Sequence, residues 1–156
     1  YPEWMNWKLV GKKTILAPMH SGMEAGKEAR DRYFDFNTWP HWNPKMNWEP
    51  RAVYVVEVTP RLADYPYKKM TMYFDAETYY IVMKECYDKK GELWKVLLNA
   101  YLDSPDMDRY PMGIGTSMIA DLQAEHATVF PSYKAEANVG YDPKFFTEPN
   151  LRKMGK

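Results

Sequence analysis

The chain has 156 residues and a mass of 18.5 kDa, enough for one ordinary domain with its own core. Lys and Arg together number 21, as do Asp and Glu, so no basic excess exists to hold nucleic acid and no charged run to seek an anionic membrane surface. No apolar stretch reaches the roughly 18 residues that a transmembrane helix needs.

In chain order, residues 6–17, NWKLVGKKTILA, are rich in β-formers around Gly11 and predict two short strands or one bulged strand, ended by Pro18. Residues 19–50 are irregular and rich in Trp, Pro, Asn and Gly. A run this long in a compact domain reads as a functional flap or as strands whose partners lie outside this sequence. Residues 51–59, RAVYVVEVT, predict a strand that is apolar on both faces and therefore covered on both.

Residues 65–103 read as three strands and two turns. DAET (75–78) makes a four-residue turn and DKKG (88–91) a type I turn with Gly91 in the left-handed position. These turns set a register: Phe74 opposite Tyr79, Met72 opposite Ile81, Met70 opposite Met83, then Met83 opposite Leu97 and Glu85 opposite Lys95 as a charge pair. One face then carries Met70, Met72, Phe74, Tyr79, Ile81, Met83 and Leu97. The other carries Tyr73, Tyr80, Val82, Cys86, Trp94, Val96 and Leu98. A one-residue slip exchanges the faces.

Residues 104–115 form a loop by composition. Residues 116–130, TSMIADLQAEHATVF, have the alternation of a strand and the composition of a helix. The strand reading is favoured because Thr128, Val129 and Phe130 continue it and Pro131 stops it. Thr147 is placed to cap a short C-terminal helix that runs into a basic tail.

Chemistry-bearing residues do not converge. His20, His41 and His126 are scattered without metal-ligand spacing, and a loop is the better reading of MHSGM (19–23) than a soft-metal site. There is no nucleophile elbow, phosphate loop, redox cysteine pair or convincing carboxylate pair, so neither an enzyme nor a cofactor is expected. The single cysteine, Cys86, falls in a strand pattern as a buried thiol. Trp4, Trp7, Trp39, Trp42 and Trp48 read as core or cavity lining ahead of a sugar-stacking surface. Met70, Met72 and Met83 suit equally a plain core and a pocket for flexible apolar ligands.

Three segments carry a resemblance: HWNPKMNWEPRAVYVVEVTPR (41–61), PYKKMTMYFDAETYYIVMKECYDKKGELWKV (66–96) and FFTEPNLRKMGK (145–156). Together they resemble the C-terminal half of the periplasmic family of unknown function numbered thirteen twenty-nine, often labelled outer-membrane lipoprotein-sorting protein. The resembling positions are Arg51, Val55, Val56, Glu57, Tyr87, Asp88, Gly91, Glu92, Leu93 and Trp94. They read first as structural, with Arg51 and Glu57 as a charge pair. The resemblance implies a mainly β fold similar to the LolA and LolB carriers: a curved antiparallel sheet, with few short helices, forming part of an incomplete barrel around an apolar cavity. Residues 1–156 would then be a single domain, the second half of a larger barrel in the Gram-negative periplasm or at the outer membrane. The expected function is non-enzymatic carriage of lipid, lipoprotein acyl chains or another hydrophobic molecule. An envelope transporter or outer-membrane protein is the implied partner, and Met70, Met72, Phe74, Tyr79, Ile81, Met83 and Leu97 are the expected lining. The alternative is a structural or scaffolding subunit of a larger envelope assembly.

Overall fold

The computed structural model describes residues 2–39, 43–102, 113–134 and 139–155. Its centre is a seven-stranded antiparallel sheet with the order β1-β4-β5-β6-β7-β8-β9. The strands are β1 (Met5–Ala17), β4 (Glu49–Pro60), β5 (Lys69–Asp75), β6 (Ile81–Tyr87), β7 (Leu93–Leu102), β8 (Gly113–Asp121) and β9 (His126–Pro131). Two short strands, β2 (Phe34–Asp35) and β3 (Asn43–Pro44), pair separately beside a one-turn helix α1 (Ala29–Tyr33). Helix α2 (Glu148–Met154) follows Thr147, whose hydroxyl donates to the Lys144 carbonyl instead of capping the helix. β1 and β9 form the sheet's two edges, so the sheet is open among the described residues.

Residues 6–17 fold as one strand with a bulge at Val10, between the pairs Leu9–Val56 and Gly11–Val55. The turn after β6 is the one its residues dictate. Gly91 has φ 92°, and the Asp88 carboxylate accepts from the backbone N–H groups of Lys90, Gly91 and Glu92. The turn after β5 is organised the same way by Asp75, whose Oδ2 accepts from the N–H groups of Glu77 and Thr78.

Further bulges break the expected register. Tyr73 faces Met83 and Phe74 faces Ile81, so Val82 is the extra residue of β6. Met70 therefore pairs with Cys86, not Met83, and Met72 with Lys84, not Ile81. Across β6 and β7, Met83 pairs with Leu98 and Lys84 with Leu97, and a second bulge at Trp94 separates Cys86–Lys95 from Tyr87–Leu93. Glu85 accordingly faces Val96, and Lys95 pairs with Asp121 at 3.3 Å. A bulge sets two residues against one and bends the strand, which turn lengths read from sequence do not register.

Other expectations also change. Residues 116–130 form a hairpin: β8 ends at Asp121, and β9 begins at His126 after a turn in which Glu125 has φ 50°. Gly113 to Gly115 belong to β8, while residues 103–112 of the expected loop lie outside the described residues. Arg51 binds Asp75, and Glu57 approaches Lys69 at 3.6 Å, so the expected Arg51–Glu57 pair does not form. Trp4, Trp7, Trp39 and Trp48 are all exposed and outside the core; Trp42 lies outside the described residues.

The described parts of the irregular segment, residues 18–39 and 43–48, form a strap across one face of the sheet. Met23, Phe34 and Met46 pack with Leu98, Ala100, Leu102 and Met118. Ala17 and Met19 pack with Val53, Tyr73, Val82 and Tyr101. The strap is fastened where Ser21 Oγ donates to the Tyr101 carbonyl and Gly26 N–H to the Ser132 carbonyl. Away from the strap the same face carries Lys8, Glu57, Lys69, Thr71 and Glu85 on β1 to β6, and the row continues into the apolar Val96 and Ala120 on β7 and β8. This is the strap face; the opposite side is the open face.

Candidate functional site

Alternation along each strand assigns the open face. Leu9, Val56, Met72, Lys84, Leu97 and Ile119 fall in one register row from β1 to β8. All are apolar except Lys84, and from Val56 to Ile119 each is only half-buried, while Leu9 on the edge strand is 62% exposed. Six strands thus present a row, apolar but for Lys84, that no segment of the described chain covers as the strap covers the other side. The expectation that both faces of β4 are covered therefore holds fully only where Val53 and Val58 sit, each at 0% exposure.

One end of the band is closed. Tyr65 and Tyr67 fold over Val58, Met70 and Cys86. The Tyr67 ring meets Trp94 edge-on at 5.6 Å, and the Trp94 indole N–H donates to the Asp121 carboxylate at 3.1 Å. Burial pushes the Cys86 thiol up, away from the reactive thiolate.

The other end opens into a groove of about 450 Å³ lined by Phe74, Tyr79, Ile81, Asn99, Tyr101 and Ile114, among others. Its polar groups satisfy one another. Asn99 Nδ2 and the Tyr101 hydroxyl both donate to the Ile81 carbonyl at 2.8 Å, and Ser117 Oγ donates to Asn99 Oδ1 at 2.7 Å. Burial raises the Tyr101 pKa, so its phenol stays a hydrogen-bond donor. A satisfied polar floor beneath apolar walls orients a guest and offers no nucleophile or base.

The seven expected lining residues divide. Met70, Met72, Phe74, Ile81 and Leu97 share the open face, with Met70 already buried under the two tyrosines. Met83 lies on the strap face, between Tyr73 and Leu98. Tyr79 stands in the β5–β6 connection at φ 60°, a backbone state that a bulky side chain rarely adopts. Its ring is 67% exposed and lies nearly parallel to Tyr54, with centroids 6.1 Å apart. Sequence reading missed Leu9, Val56, Lys84, Ile119, Asn99 and Ile114. Val56 was findable from the doubly apolar β4, whereas the others depended on register.

A charged cluster under the β5–β6 connection holds Tyr79 in place. Arg51 grips Asp75 through two hydrogen bonds, Nε at 2.7 Å and Nη2 at 3.0 Å, and reaches Glu77 at 3.0 Å. Glu49 lies 3.8 Å from Arg51 and accepts from the His20 backbone N–H at 3.3 Å, with His20 Nδ1 2.7 Å away. Burial alone would raise the Asp75 pKa; hydrogen bonds from Arg51 and Thr78 outweigh it and hold the carboxyl below its usual range. Among the described residues, no group of three or more His, Cys, Asp or Glu could hold a metal ion.

The sequence profile described as Protein of unknown function (DUF1329) matches residues 1–152. The chain belongs to the DUF1329 family. Its fold is shared with a crystal structure of a DUF1329 family protein from Desulfovibrio piger, at a TM-score of 0.52 and 15% identity over 96% of this chain and 48% of that one. A domain named for outer membrane lipoprotein sorting, from Vibrio parahaemolyticus, is similar at a TM-score of 0.53 and 24% identity, over 65% of this chain and 43% of that one. At these identities the likeness is one of fold. This DUF1329 chain spans less than half the length of either structure. No curated protein matches it.

Proposed function

We propose that this DUF1329 chain forms one wall of a non-enzymatic carrier for hydrophobic molecules of the cell envelope, lipid and lipoprotein acyl chains among them. The observation that carries this reading is the open row Val56–Met72–Leu97–Ile119 leading to the Phe74–Ile81–Ile114 groove. A soluble surface seldom leaves so continuous an apolar band bare unless something binds there. Enclosing a few hundred Å² of acyl chain at about 25 cal/mol per Å² is worth several kcal/mol, which reaches the micromolar range. The sheet is read as part of a larger barrel, working in the periplasm beside an envelope transporter or outer-membrane protein, in keeping with the lipoprotein-sorting name of its structural neighbour.

Native mass spectrometry of the purified protein, followed by organic extraction, tests the reading. Acyl species should leave with the protein and rebind when added back. Repeated recovery of empty protein that takes up no added lipid would overturn it. The second reading, a scaffolding subunit, draws on the exposed C-terminal residues Phe146, Leu151 and Met154. Light scattering separates the two, because a carrier stays monomeric with or without lipid and a scaffold assembles.

A further inference from the structure

Lys84 stands at the centre of the open face. β6 is the fourth of the seven strands, and Lys84 pairs with Met72 on one side and Leu97 on the other. Beyond these lie Val56 and Ile119. Among the described residues no carboxylate comes within ion-pair distance of its ammonium, and it makes no hydrogen bond. The neighbouring lysine on the same face, Lys95, is treated differently, since it pairs with Asp121 at 3.3 Å and lies over the Trp94 ring.

An unpaired ammonium among Met and Leu is tolerable while water reaches it. A purely hydrocarbon cargo laid over the row would strip that water away and leave a buried cation without a partner, at a cost that cancels much of the apolar gain. A cargo with an anionic end removes the conflict and adds a charge-assisted hydrogen bond. We infer that the open face takes a single-chain amphiphile with an anionic head, of the fatty carboxylate type. Lys84 receives the head, and the tail runs along β6 past Ile81 into the groove between Phe74 and Ile114. The distance fits: three residues of strand separate Lys84 from Ile81, about 10 Å, and the groove beyond adds about 450 Å³. Met72 and Leu97 flank the first part of the tail. This inference rests on the carrier reading and names its cargo class.

Calorimetric titration with dodecanoate, dodecanol and dodecyltrimethylammonium, all below their micelle concentrations, compares three heads on one tail. The wild-type protein should bind dodecanoate about tenfold tighter than dodecanol, a difference of about 1.4 kcal/mol, and the cationic amphiphile most weakly. Lys84→Met and Lys84→Gln should erase the preference while keeping dodecanol affinity within about threefold, and Lys84→Arg should retain it. Circular dichroism confirms that each variant is folded, and the glutamine variant serves if the methionine one is not. Equal affinity of wild type for dodecanoate and dodecanol, or a preference that survives in Lys84→Gln, overturns the role of Lys84 and leaves the carrier reading standing. Failure of all three amphiphiles to bind overturns both.

Discussion

Asp75 shows how one buried charge fixes a local conformation. It is fully buried, yet its oxygens accept from Arg51, from the N–H groups of Glu77 and Thr78 and from the Thr78 hydroxyl. That set of bonds closes the connection in which Tyr79 takes its left-handed backbone. Replacing Asp75 by Ala removes the acceptor and leaves Arg51 to Glu77 and Glu49; chemical denaturation should register a loss of about 3 kcal/mol, the low end for a broken buried pair. The pH dependence has a definite sign. Because the folded-state pKa lies below the unfolded value of about 3.9, the stabilisation is complete above that value and drains away as pH falls through the folded pKa. Urea midpoints at pH 7 and pH 3 should therefore diverge more for wild type than for Asp75→Asn, which has no proton to gain at this site.

At the scale of elements, the strap decides which side of the sheet stays free. Its residues carry no periodic signal, because they pack onto the sheet without forming regular structure for most of their length. Phe34, 2% exposed, is its largest anchor, packed among Met23, Met46, Leu98 and Leu102. Phe34→Ala should cost about 3–5 kcal/mol by leaving a cavity in that cluster, read as a lowered urea midpoint. Strand identity was legible for β4 to β7, because runs such as 51–59 and 81–87 suit a pleated, half-buried surface and the Asp88–Gly91 turn has one good conformation. Hairpin β8–β9 was less legible. Leu122 and Ala124 extend the alternation of β8 into what is in fact an exposed turn, and composition gives no break there.

For the whole molecule, the contrast between the faces carries the functional argument. The strap face is covered by residues 18–39 and 43–48 or carries a mixed row of Lys8, Glu57, Thr71, Glu85, Val96 and Ala120, whereas the middle row of the open face is half-buried and apolar but for Lys84. Converting Met72 and Leu97 together to Glu alters half-buried positions outside the three core clusters' buried sets. Binding of an environment-sensitive apolar dye should fall at least tenfold in that variant while far-ultraviolet circular dichroism is unchanged. Dye binding that persists at the wild-type level would place the apolar site elsewhere on the molecule.

What the sequence by itself determined is local: the strands of residues 51–102, where Gly91 must turn the chain, and that Cys86 is buried. Its family motifs also pointed to the fold class. The tertiary structure decided the register, and with it the side on which each residue lies. Bulges at Val10, Val82, Trp94 and Gly115 interrupt the pairing, and at Val82 and Trp94 no composition signal marks the point. A side-chain period of two makes every such insertion reverse the downstream assignment, which is why Met83 lies on the strap face and Lys84 on the open face.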